Sequence, residues 1–473
     1  MRLYDTRLKA VVPVVPSRPG ELSVYACGPT VYRDAHVGNM RTFLLTDLIR
    51  RTAEMEGLSV VVVQNITDVG HMADDTGLGA VDEGQGDGDD KVLRQAALEG
   101  LTALEIAREY EQRFHADLAA LNIYPAAHYP RASESIDLMI DLIALLMERG
   151  HAYVGGDGSV FFDARSFPGY GELSGNRLDD LRPGHRFEGA VDPAKAFHAD
   201  WALWKRALDT RTQLVWDTPW GVGFPGWHTE CSAMSLALLG STIDVHTGGI
   251  DLRFPHHEDE RAQSNCATGT DVVRHWVHGE HLLFEGRKMS KSSGNVVLVG
   301  DLVDRGLDPL ALRLAFLQHR YRQQMNLTWE VLVAADSMIT RWRERLADWA
   351  THPSEAMPAE VVASVRAMFD DDLDTPRAIS LLRELEKDPA VSPGAKFEAF
   401  AHLDRLLGLD LASDVGRAPA AQAPLPDEVE ALLSARAEAR AARDWSGSDR
   451  LRDELAALGF PVIDTPDGQQ VQR

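Results

Sequence analysis

Cysteine is scarce in this chain of 473 residues. Cys27, Cys231 and Cys266 lie far apart, and such sparse spacing argues against a disulfide framework and for a reducing compartment. Each cysteine is therefore expected to serve packing or chemistry. No uninterrupted apolar run of ~18 residues occurs, and the start, MRLYDTRLKAVVP, lacks the charged head and apolar region of a secretory signal. We accordingly expect a cytoplasmic protein that crosses no membrane.

Positive charge is scarce as well. Lys and Arg total 48 against 72 Asp and Glu, for a formal net charge of −24. This excess of acid disfavours a polyanionic partner unless the basic residues are clustered, because phosphate binding depends on local cations. Arginines do cluster in two stretches, and either RNA contact or a solvated helix face would explain them. They are Arg313, Arg320, Arg322, Arg341, Arg343 and Arg345 in one stretch, and Arg436, Arg440, Arg443, Arg450 and Arg452 in the other.

The hydrophobic pattern predicts an α/β fold. Residues 23–32, SVYACGPTVY, are typical of a strand that runs into a turn. Residues 42–56 then have the apolar spacing of a helix, and residues 58–63 form a second apolar strand. This strand, helix, strand order indicates a parallel sheet covered by helices. Further helices are predicted at 92–121 and 133–149.

Two short motifs predict nucleotide chemistry: HVGN at residues 36–39, just after the first strand, and KMSKSSGN at residues 288–295. An enzyme in which a carboxylate attacks the α-phosphate of ATP must stabilise charge on that phosphorus and on the departing pyrophosphate. Imidazole, amide and ammonium groups suit this task, since such transfer depends on positioning and electrostatics. Gly38 would let a nucleotide approach the backbone at a helix N-terminus, where free N–H groups favour anions. Either motif alone could be an ordinary turn, and the pair in this order favours the nucleotide site.

The two motifs together resemble the signatures of class I aminoacyl-tRNA synthetases. Other segments resemble the cysteinyl-tRNA synthetase family within that class, and the similarity spans nearly the whole chain. These segments are YACGPTVY (25–32), NITD (65–68), GWHTECSAM (226–234), GGIDLRFPHHEDE (248–260) and DTPDG (464–468). The resemblance implies an ATP-dependent ligase that activates L-cysteine as cysteinyl-adenylate and transfers it to the 3′ end of tRNA-Cys.

The resemblance also implies which residues hold ATP. It assigns ATP binding to His36, Gly38, Asn39, Lys288 and Lys291. His36 and Asn39 are expected to act on the nucleotide side of the reaction, and Lys288 and Lys291 to hold the phosphates, so these side chains are the predicted catalytic groups. Mg²⁺ is expected to accompany ATP.

The matching segments contain two cysteines, a histidine and a glutamate, which are ligand types that Zn²⁺ accepts. They are Cys27, Cys231, His256 and Glu260. His256 and Glu260 stand four residues apart and would share one helix face. By composition His228 and His257 are rival ligands, and only the resemblance selects His256. We thus expect one zinc ion per chain, which in the family receives the substrate thiolate through a Zn–S bond of ~2.3 Å.

A cysteine pocket beside the metal follows from the same resemblance. Thr67 and Trp227 match family positions that line this pocket, and Thr30 is a further candidate. Asp251 matches a position near the substrate or the adenosine. Because serine is a far weaker zinc ligand than cysteine, such a site would need no hydrolytic editing.

Pattern and resemblance together predict a Rossmann-like parallel-sheet catalytic domain with a connective insertion, then an all-α helical bundle and a small C-terminal module that contacts the anticodon. An Ala- and Pro-rich stretch cannot sustain a helix and is predicted to be a linker. The predicted segments are 1–75 (first half of the catalytic domain), 76–225 (helical segment and insertion), 226–285 (second half, with zinc ligands), 286–345 (KMSKS loop and stem-contact region), 346–416 (helical bundle), 417–426 (linker) and 427–473 (C-terminal module).

The C-terminal module carries the predicted tRNA contacts. Arg440, Asp449 and Asp464 match positions that read anticodon bases, as expected for single-stranded RNA recognised at its base edges. A solvated surface explains Asp449 and Asp464 equally well. We expect tRNA-Cys, ATP and L-cysteine as partners of a monomer.

Several departures from the family pattern leave alternatives open. The first motif ends in Asn39 rather than His, VGHMADD follows NITD, and QQVQR replaces a common terminal tryptophan. One alternative is a cysteine ligase of the mycothiol-biosynthesis type, which would share the activation chemistry. Another is a non-catalytic paralogue that senses cysteine or binds RNA. A chain that continues beyond residue 410 favours tRNA over the first, and intact motifs argue against the second.

Overall fold

The computed structural model describes residues 1–69, 90–181, 192–289, 294–417, 426–465 and 468–471. The chain divides into two compact units, Met1–Val415 and Gly416–Arg473. Among the described residues, no helix has both the length and the apolar character needed to cross a membrane. Most of the predicted linker, residues 418–425, lies outside the described part of the chain.

The first unit mixes strands and helices along the chain. Its strands are β1 (Arg2–Asp5), β2 (Ala10–Pro13), β3 (Glu21–Ala26), β4 (Ser59–Gln64), β5 (Ala152–Val154), β6 (Val160–Phe162), β7 (Trp201–Arg206), β8 (Gly223–Pro225), β9 (Ile243–Gly249), β10 (Val273–Gly279), β11 (Leu282–Phe284), β12 (Arg287–Lys288) and β13 (Met325–Leu327). Its helices are α1 (Val37–Met55), α2 (Lys91–Glu99), α3 (Ala103–Ala120), α4 (Ile136–Glu148), α5 (Trp227–Leu239), α6 (His256–Thr268), α7 (Val299–Asp304), α8 (Leu310–Leu317), α9 (Trp329–Trp349), α10 (Ala359–Asp370), α11 (Thr375–Lys387) and α12 (Pro393–Leu407).

A parallel sheet in the order β10-β9-β3-β4 forms the centre of the first unit. Val24 of β3 lies opposite Val62 of β4 and Val245 of β9. β-Branched residues suit these strands because branching at Cβ fits an extended, packed backbone. Every residue of β9 is buried, as in parallel sheets that are covered on both faces. The predicted α/β fold is confirmed.

An antiparallel sheet, β5-β6-β7-β8, lies in sequence between the two halves of the parallel sheet. Phe162 and Trp201 stack in it with ring centroids 4.4 Å apart, and both are buried. The segment interpreted as an insertion thus has a sheet and an aromatic core of its own. Its predicted boundaries, like those of the other segments, stay predictions.

The helical pattern predicted at 92–121 corresponds to two helices, α2 and α3, separated by a short break. α2 ends at Gly100, whose φ of 69° is a left-handed conformation that glycine adopts without strain. α3 then starts with a reciprocal cap: the Thr102 hydroxyl accepts from the Glu105 N–H at 3.3 Å, and the Glu105 carboxylate accepts from the Thr102 N–H at 2.8 Å. Gly100 and the Thr102 cap thus divide the segment into two helices, although its apolar pattern is continuous.

A buried ion-pair cluster of Asp47, Arg51 and Arg313 ties α1 to the helices that follow the sheet. Asp47 Oδ2 accepts from Arg51 at 2.7 Å and from Arg313 at 2.6 Å, and all three side chains are at most 2% exposed. Further guanidinium N–H groups donate to the backbone carbonyls of Asn122 and Leu407. Arg313 is therefore part of neither an RNA surface nor a solvated face, which corrects the interpretation of the first arginine stretch.

Other arginines of that stretch pair with carboxylates of the helical region. Their charges are balanced within the fold, so the stretch is mainly structural. The pairs are Arg320 with Asp374, Arg322 with Asp372, Arg341 with Glu386 and Arg343 with Asp308.

The second unit is a small α/β module. Its elements are α13 (Asp427–Ala441), α14 (Trp445–Ala457), β14 (Val462–Thr465) and β15 (Gly468–Val471). The strands pair antiparallel, and Val429, Leu455 and Val462 form its buried core.

Candidate metal centre and nucleotide site

Side chains from both halves of the parallel sheet meet at the carboxyl ends of its strands. Cys27 directly follows β3, and Cys231 lies in α5. α6 begins shortly after β9 and carries His256 and Glu260 one helical turn apart. All four side chains are buried. This edge is where ligands bind in open α/β sheets, so its buried polar groups form a candidate site.

The predicted zinc ligands Cys27, Cys231, His256 and Glu260 form one compact group, here called the ligand cluster. Their ligand atoms all lie within 4.8 Å of one another. Cys27 Sγ lies 4.0 Å from Cys231 Sγ and 3.7 Å from Glu260 Oε1, and His256 Nε2 lies 3.0 Å from the same oxygen. These separations suit a tetrahedral ion with bonds of ~2.0–2.3 Å. The residues present therefore fit zinc.

The charges of the ligand cluster also fit a cation. Burial raises the pKa of Cys27 well above its usual range, and the neighbouring Cys231 and Glu260 raise it further. Burial opposes ionisation of Cys231 too, but hydrogen bonds from Cys27 and His256 outweigh it and lower the pKa of Cys231 to about 6. Burial likewise raises the pKa of Glu260, yet the charges of His256 and His246 outweigh it and hold this pKa at about 2. Two thiols and a carboxylate compete here for imidazolium charge, and a divalent cation would stabilise all three as anions.

A second set of buried ligand types shares Cys27 and Glu260 with the ligand cluster and adds His246 and His257. His246 Nε2 lies 3.1 Å from Glu260 Oε2, and His257 Nε2 lies 3.3 Å from Cys27 Sγ. Burial and the neighbouring His246 hold the pKa of His257 well below its usual range. His257, a rival ligand by composition, thus lies beside the ligand cluster as a neutral imidazole.

Sequence reasoning missed His246 and His278. His246 is the middle residue of the buried strand β9, and His278 lies near the carboxyl end of β10. His278 Nε2 lies 2.8 Å from His257 Nδ1, and its Nδ1 lies 2.8 Å from the Thr6 hydroxyl. A histidine inside a buried strand was the available signal, since a buried polar side chain needs partners.

The predicted cysteine-pocket residues lie around the ligand cluster. Thr30 and Thr67 pair as a parallel bridge on the loops that follow β3 and β4. Trp227 stacks on His256 with ring centroids 4.2 Å apart. Asp251 lies in the turn after β9, with its side chain exposed. Three of the four predicted substrate residues are thus close to the zinc ligands or to the loop that carries Cys27.

The HVGN motif starts α1 with a reciprocal cap. His36 Nδ1 accepts from the Asn39 N–H at 3.2 Å, and Asn39 Oδ1 accepts from the His36 N–H at 3.1 Å. Burial and the nearby Arg33 lower the pKa of His36 to about 4. Its imidazole is therefore neutral at physiological pH, with Nδ1 fixed as the acceptor and Nε2 left to carry the proton.

The structure brings the HVGN motif against the KMSKS segment. The Val37 N–H donates to the Val297 carbonyl at 2.9 Å. A Cβ added at Gly38 would lie only 2.9 Å from Met289 Cε, so the two motifs approach closely here and a side chain at residue 38 would displace the end of Met289. Lys288 is exposed at the end of β12, whereas Lys291 lies outside the described residues.

The predicted anticodon residues lie in the second unit. Arg440 is half-buried near the end of α13. Asp449 is exposed on α14, where it pairs with Arg452 at 3.4 Å. Asp464 belongs to β14, and its side chain is outside the described part. Their contact with tRNA stays a prediction.

Comparison with known proteins gives matches over both units. The family model described as tRNA synthetases class I (C) catalytic domain matches residues 13–76 and 83–337, and the one described as cysteinyl-tRNA ligase anticodon binding domain matches residues 422–471. A protein named cysteine–tRNA ligase from Opitutus terrae is 41% identical, over 100% of this chain and 99% of that relative. One of the same name from Thermus thermophilus is 42% identical, over 98% of each chain.

Solved structures share the fold at low identity. Methionyl-tRNA synthetase of Mycobacterium tuberculosis bound by methionyl-adenylate has a TM-score of 0.54 at 16% identity, over 83% of this chain and 92% of that one. LeuRS of Agrobacterium radiobacter K84, in a ternary complex with tRNA and LeuAMS, has a TM-score of 0.58 at 12% identity, over 84% of each chain. At such identity these structures support the fold alone.

Proposed function

The chain belongs to the cysteine–tRNA ligase family of class I aminoacyl-tRNA synthetases, and we propose the roles of its residues in that reaction. The protein is an ATP-dependent ligase that activates L-cysteine as cysteinyl-adenylate and transfers the cysteine to the 3′ end of tRNA-Cys. The carboxylate of cysteine attacks the α-phosphorus of ATP, and pyrophosphate leaves. A terminal ribose hydroxyl of the tRNA then attacks the resulting mixed anhydride and releases AMP.

The ligand cluster holds the cofactor in this proposal. One zinc ion would be bound by its two thiolates, one imidazole and one carboxylate, which are buried and converge within 4.8 Å. When bound, zinc would supply a Lewis acid with high affinity for a thiolate, so that cysteine is preferred over serine. The buried imidazole rings of His246 and His257 line the site beside these ligands.

The amino acid is oriented by the groups around the ligand cluster. Thr30 and Thr67 offer hydroxyls on the loops that follow β3 and β4, and Trp227 forms an apolar wall stacked on His256. Asp251 offers a carboxylate towards the nucleotide side, close enough to influence the pKa of His36. These contacts would keep the cysteine carboxylate facing the α-phosphate, since positioning supplies much of the rate in such a transfer.

ATP lies where the two motifs meet. His36 and Asn39 cap α1, so the same side chains that start the helix also present an imidazole and an amide to the nucleotide. Lys288 and Lys291 supply the positive charge that the departing pyrophosphate needs, and Mg²⁺ accompanies ATP. Because Gly38 has no side chain, ATP can approach the protein backbone at the N-terminus of α1.

Transfer RNA binds to the second unit through its anticodon. Arg440 contributes a cation and hydrogen-bond donors, and Asp449 and Asp464 contribute acceptors for base edges. The protein acts as a monomer in this proposal.

The convergence of the four buried ligand-type side chains is the observation that carries the proposal. The test is cysteine-dependent ATP–pyrophosphate exchange, with serine in parallel, together with zinc content and charging of a tRNA-Cys transcript. We expect about one zinc per chain, exchange with cysteine only, and charging. Exchange without charging would instead favour the mycothiol-type ligase, and absence of exchange would favour the cysteine-sensing or RNA-binding paralogue.

The ATP side is tested with Lys291→Ala. This substitution should slow adenylate formation much more than it weakens cysteine binding, because it removes charge near the phosphates only. Lys387→Ala on α11, which removes an exposed lysine far along the chain, is the control. Equal loss of cysteine binding and of adenylate formation would contradict the assigned role.

A further inference from the structure

Residues 169–174 of the insertion form a strip that is hydrogen-bonded to α6 beside the proposed zinc ligands. Arg261 donates to the Gly169 carbonyl at 2.8 Å and pairs with Glu172 at 2.6 Å. The Ser174 N–H donates to the buried Glu258 at 2.7 Å. Residues 258 and 261 of α6 that hold this strip interleave with the ligands at 256 and 260, so the strip packs directly on the helix turn that carries them.

One contact from this strip continues into the ligand cluster. The Tyr170 hydroxyl donates to Asp259 Oδ1 at 2.6 Å. The other oxygen of Asp259, Oδ2, lies 3.5 Å from His228 Nε2, at the long end of hydrogen-bond distance. His228 Nδ1 lies 2.8 Å from His256 Nδ1. The four side chains thus form a continuous polar chain, and all are at most 5% exposed.

The positions of the protons in this polar chain follow from its last member, His256, which is a proposed zinc ligand. His256 turns Nε2 towards the ligand cluster, and a nitrogen that binds a metal carries no proton. Its Nδ1 must then carry the proton and donate to His228 Nδ1. His228 consequently carries its own proton on Nε2, which faces Asp259 Oδ2 at 3.5 Å, and the other oxygen of Asp259 accepts from Tyr170. Every donor in this polar chain faces an acceptor only when His256 presents Nε2 to the ligand cluster.

We propose that Tyr170 and Asp259 are positioning residues for the zinc ligand His256, acting through His228. The inference rests on the proposed function, because it takes the ligand cluster as the zinc site. Outer hydrogen bonds of this kind fix the tautomer and the ring orientation of a ligating histidine. The insertion is then an outer wall of the metal centre. Its Tyr170 ring is held in place by stacking on Trp201, with centroids 5.7 Å apart.

The test compares two tyrosines of the same insertion in the full-length chain. Tyr170→Phe removes the hydroxyl that reaches Asp259. Tyr153→Phe is the matched control, since its hydroxyl also donates to a buried aspartate, Asp200, at 2.6 Å, but that aspartate directly precedes β7 of the insertion and is not on α6. Zinc affinity is measured by competition with a chromophoric chelator, and the visible absorption of the cobalt-substituted protein reports the ligand geometry.

We expect Tyr170→Phe to weaken zinc binding about 10-fold or more, within the range found for outer-sphere partners of metal ligands, and to shift the cobalt spectrum. The KM for cysteine should rise while the KM for ATP stays unchanged. Tyr153→Phe should leave zinc affinity and spectrum unaltered. Equal zinc affinities for the two variants would overturn the inference, whereas a wild-type chain that binds no zinc would contradict the proposed function itself.

Asp259 provides a second test should Tyr170→Phe fold poorly. Asp259→Ala removes the acceptor and should weaken zinc binding. Asp259→Asn keeps an oxygen that can accept from His228 and should recover most of the affinity. If Asp259→Asn were as weak as Asp259→Ala, the hydrogen-bonded route through His228 would be wrong.

Discussion

The first unit contains two buried polar clusters whose chemistry differs. The ion-pair cluster of Asp47, Arg51 and Arg313 holds one carboxylate between two guanidinium groups. The ligand cluster instead gathers two thiols, a carboxylate and an imidazole, so acids outnumber the bases. Burial disfavours charge in both places. In the ion-pair cluster two guanidinium groups more than balance the carboxylate and also donate to backbone carbonyls, whereas the ligand cluster lacks the positive charge that its acids require.

The pKa values of the acids express this difference. Burial raises the pKa of Asp47, but Arg313 and Arg51 outweigh it and keep the pKa below its usual value. Burial raises the pKa of Cys27, and its neighbours raise it further. A buried cluster that supplies the cations its acid needs is therefore structural, and one that leaves its acids without a cation is a binding site. Substitutions in the two clusters should accordingly have separate effects.

The largest expected effect is the loss of a metal ligand. Cys231→Ala should abolish zinc binding and reduce cysteine-dependent pyrophosphate exchange about 1000-fold or more, because a metal ion acting as Lewis acid is worth several kcal/mol. Metal analysis and exchange kinetics measure it. Cys266→Ala is the control, since Cys266 is also buried but lies outside the ligand cluster. If Cys231→Ala kept zinc as Cys266→Ala does, the ligand cluster would not be the metal site.

The next effect is on stability. Asp47→Asn leaves two buried guanidinium groups without their carboxylate and should lower the free energy of unfolding by about 3–5 kcal/mol. Zinc content should not change. Denaturant titration and metal analysis of the same sample separate the two outcomes. Asp371→Asn breaks an exposed pair with Arg2 and should leave stability nearly unchanged. Loss of zinc in Asp47→Asn would show that the clusters are coupled.

Metal removal gives a smaller effect that should depend on the ligand cluster only. At free zinc 100 times its Kd, binding should stabilise the wild type by about 2.7 kcal/mol. The Asp47→Asn variant should show the same increment, and Cys231→Ala should show none. Thermal unfolding with and without a chelator measures these increments. An increment in Cys231→Ala equal to that of the wild type would place the metal elsewhere.

The smallest expected effect is the pH dependence of the ion-pair cluster. Because the folded pKa of Asp47 lies below its usual value, its contribution to stability is fully present above that value and is lost as pH falls through the folded pKa. The difference in stability between the wild type and Asp47→Asn should be constant from about pH 8 to 5 and narrow below about pH 4 by at most ~1.4 kcal/mol per pH unit. Urea titrations over this range measure it. A difference that widened in acid would contradict the sign.

Much of the site could be predicted because the residues concerned stand in local patterns. The spacing of His256 and Glu260 places both on one helix face, and HVGN predicts a helix start that the reciprocal cap of His36 and Asn39 confirms. The choice of His256 over His257 needed the resemblance to a family, since both are adjacent imidazoles at the start of α6. His246 and His278 were missed because their strand pattern is that of ordinary buried residues.

The sequence by itself determined the periodicities, the caps and the types of ligand, because these depend on neighbours within a few residues. It also determined the family, through motifs distributed over the whole chain. Only the tertiary structure decided that Cys27 and Cys231 meet, since the order β10-β9-β3-β4 brings together segments some 200 residues apart. It likewise decided that Arg313 is buried against Asp47, while Arg322 and Arg341 of the same stretch stay partly exposed in their ion pairs. Burial and charge balance depend on which surfaces pack together. The spacing of residues along the sequence does not predict that packing.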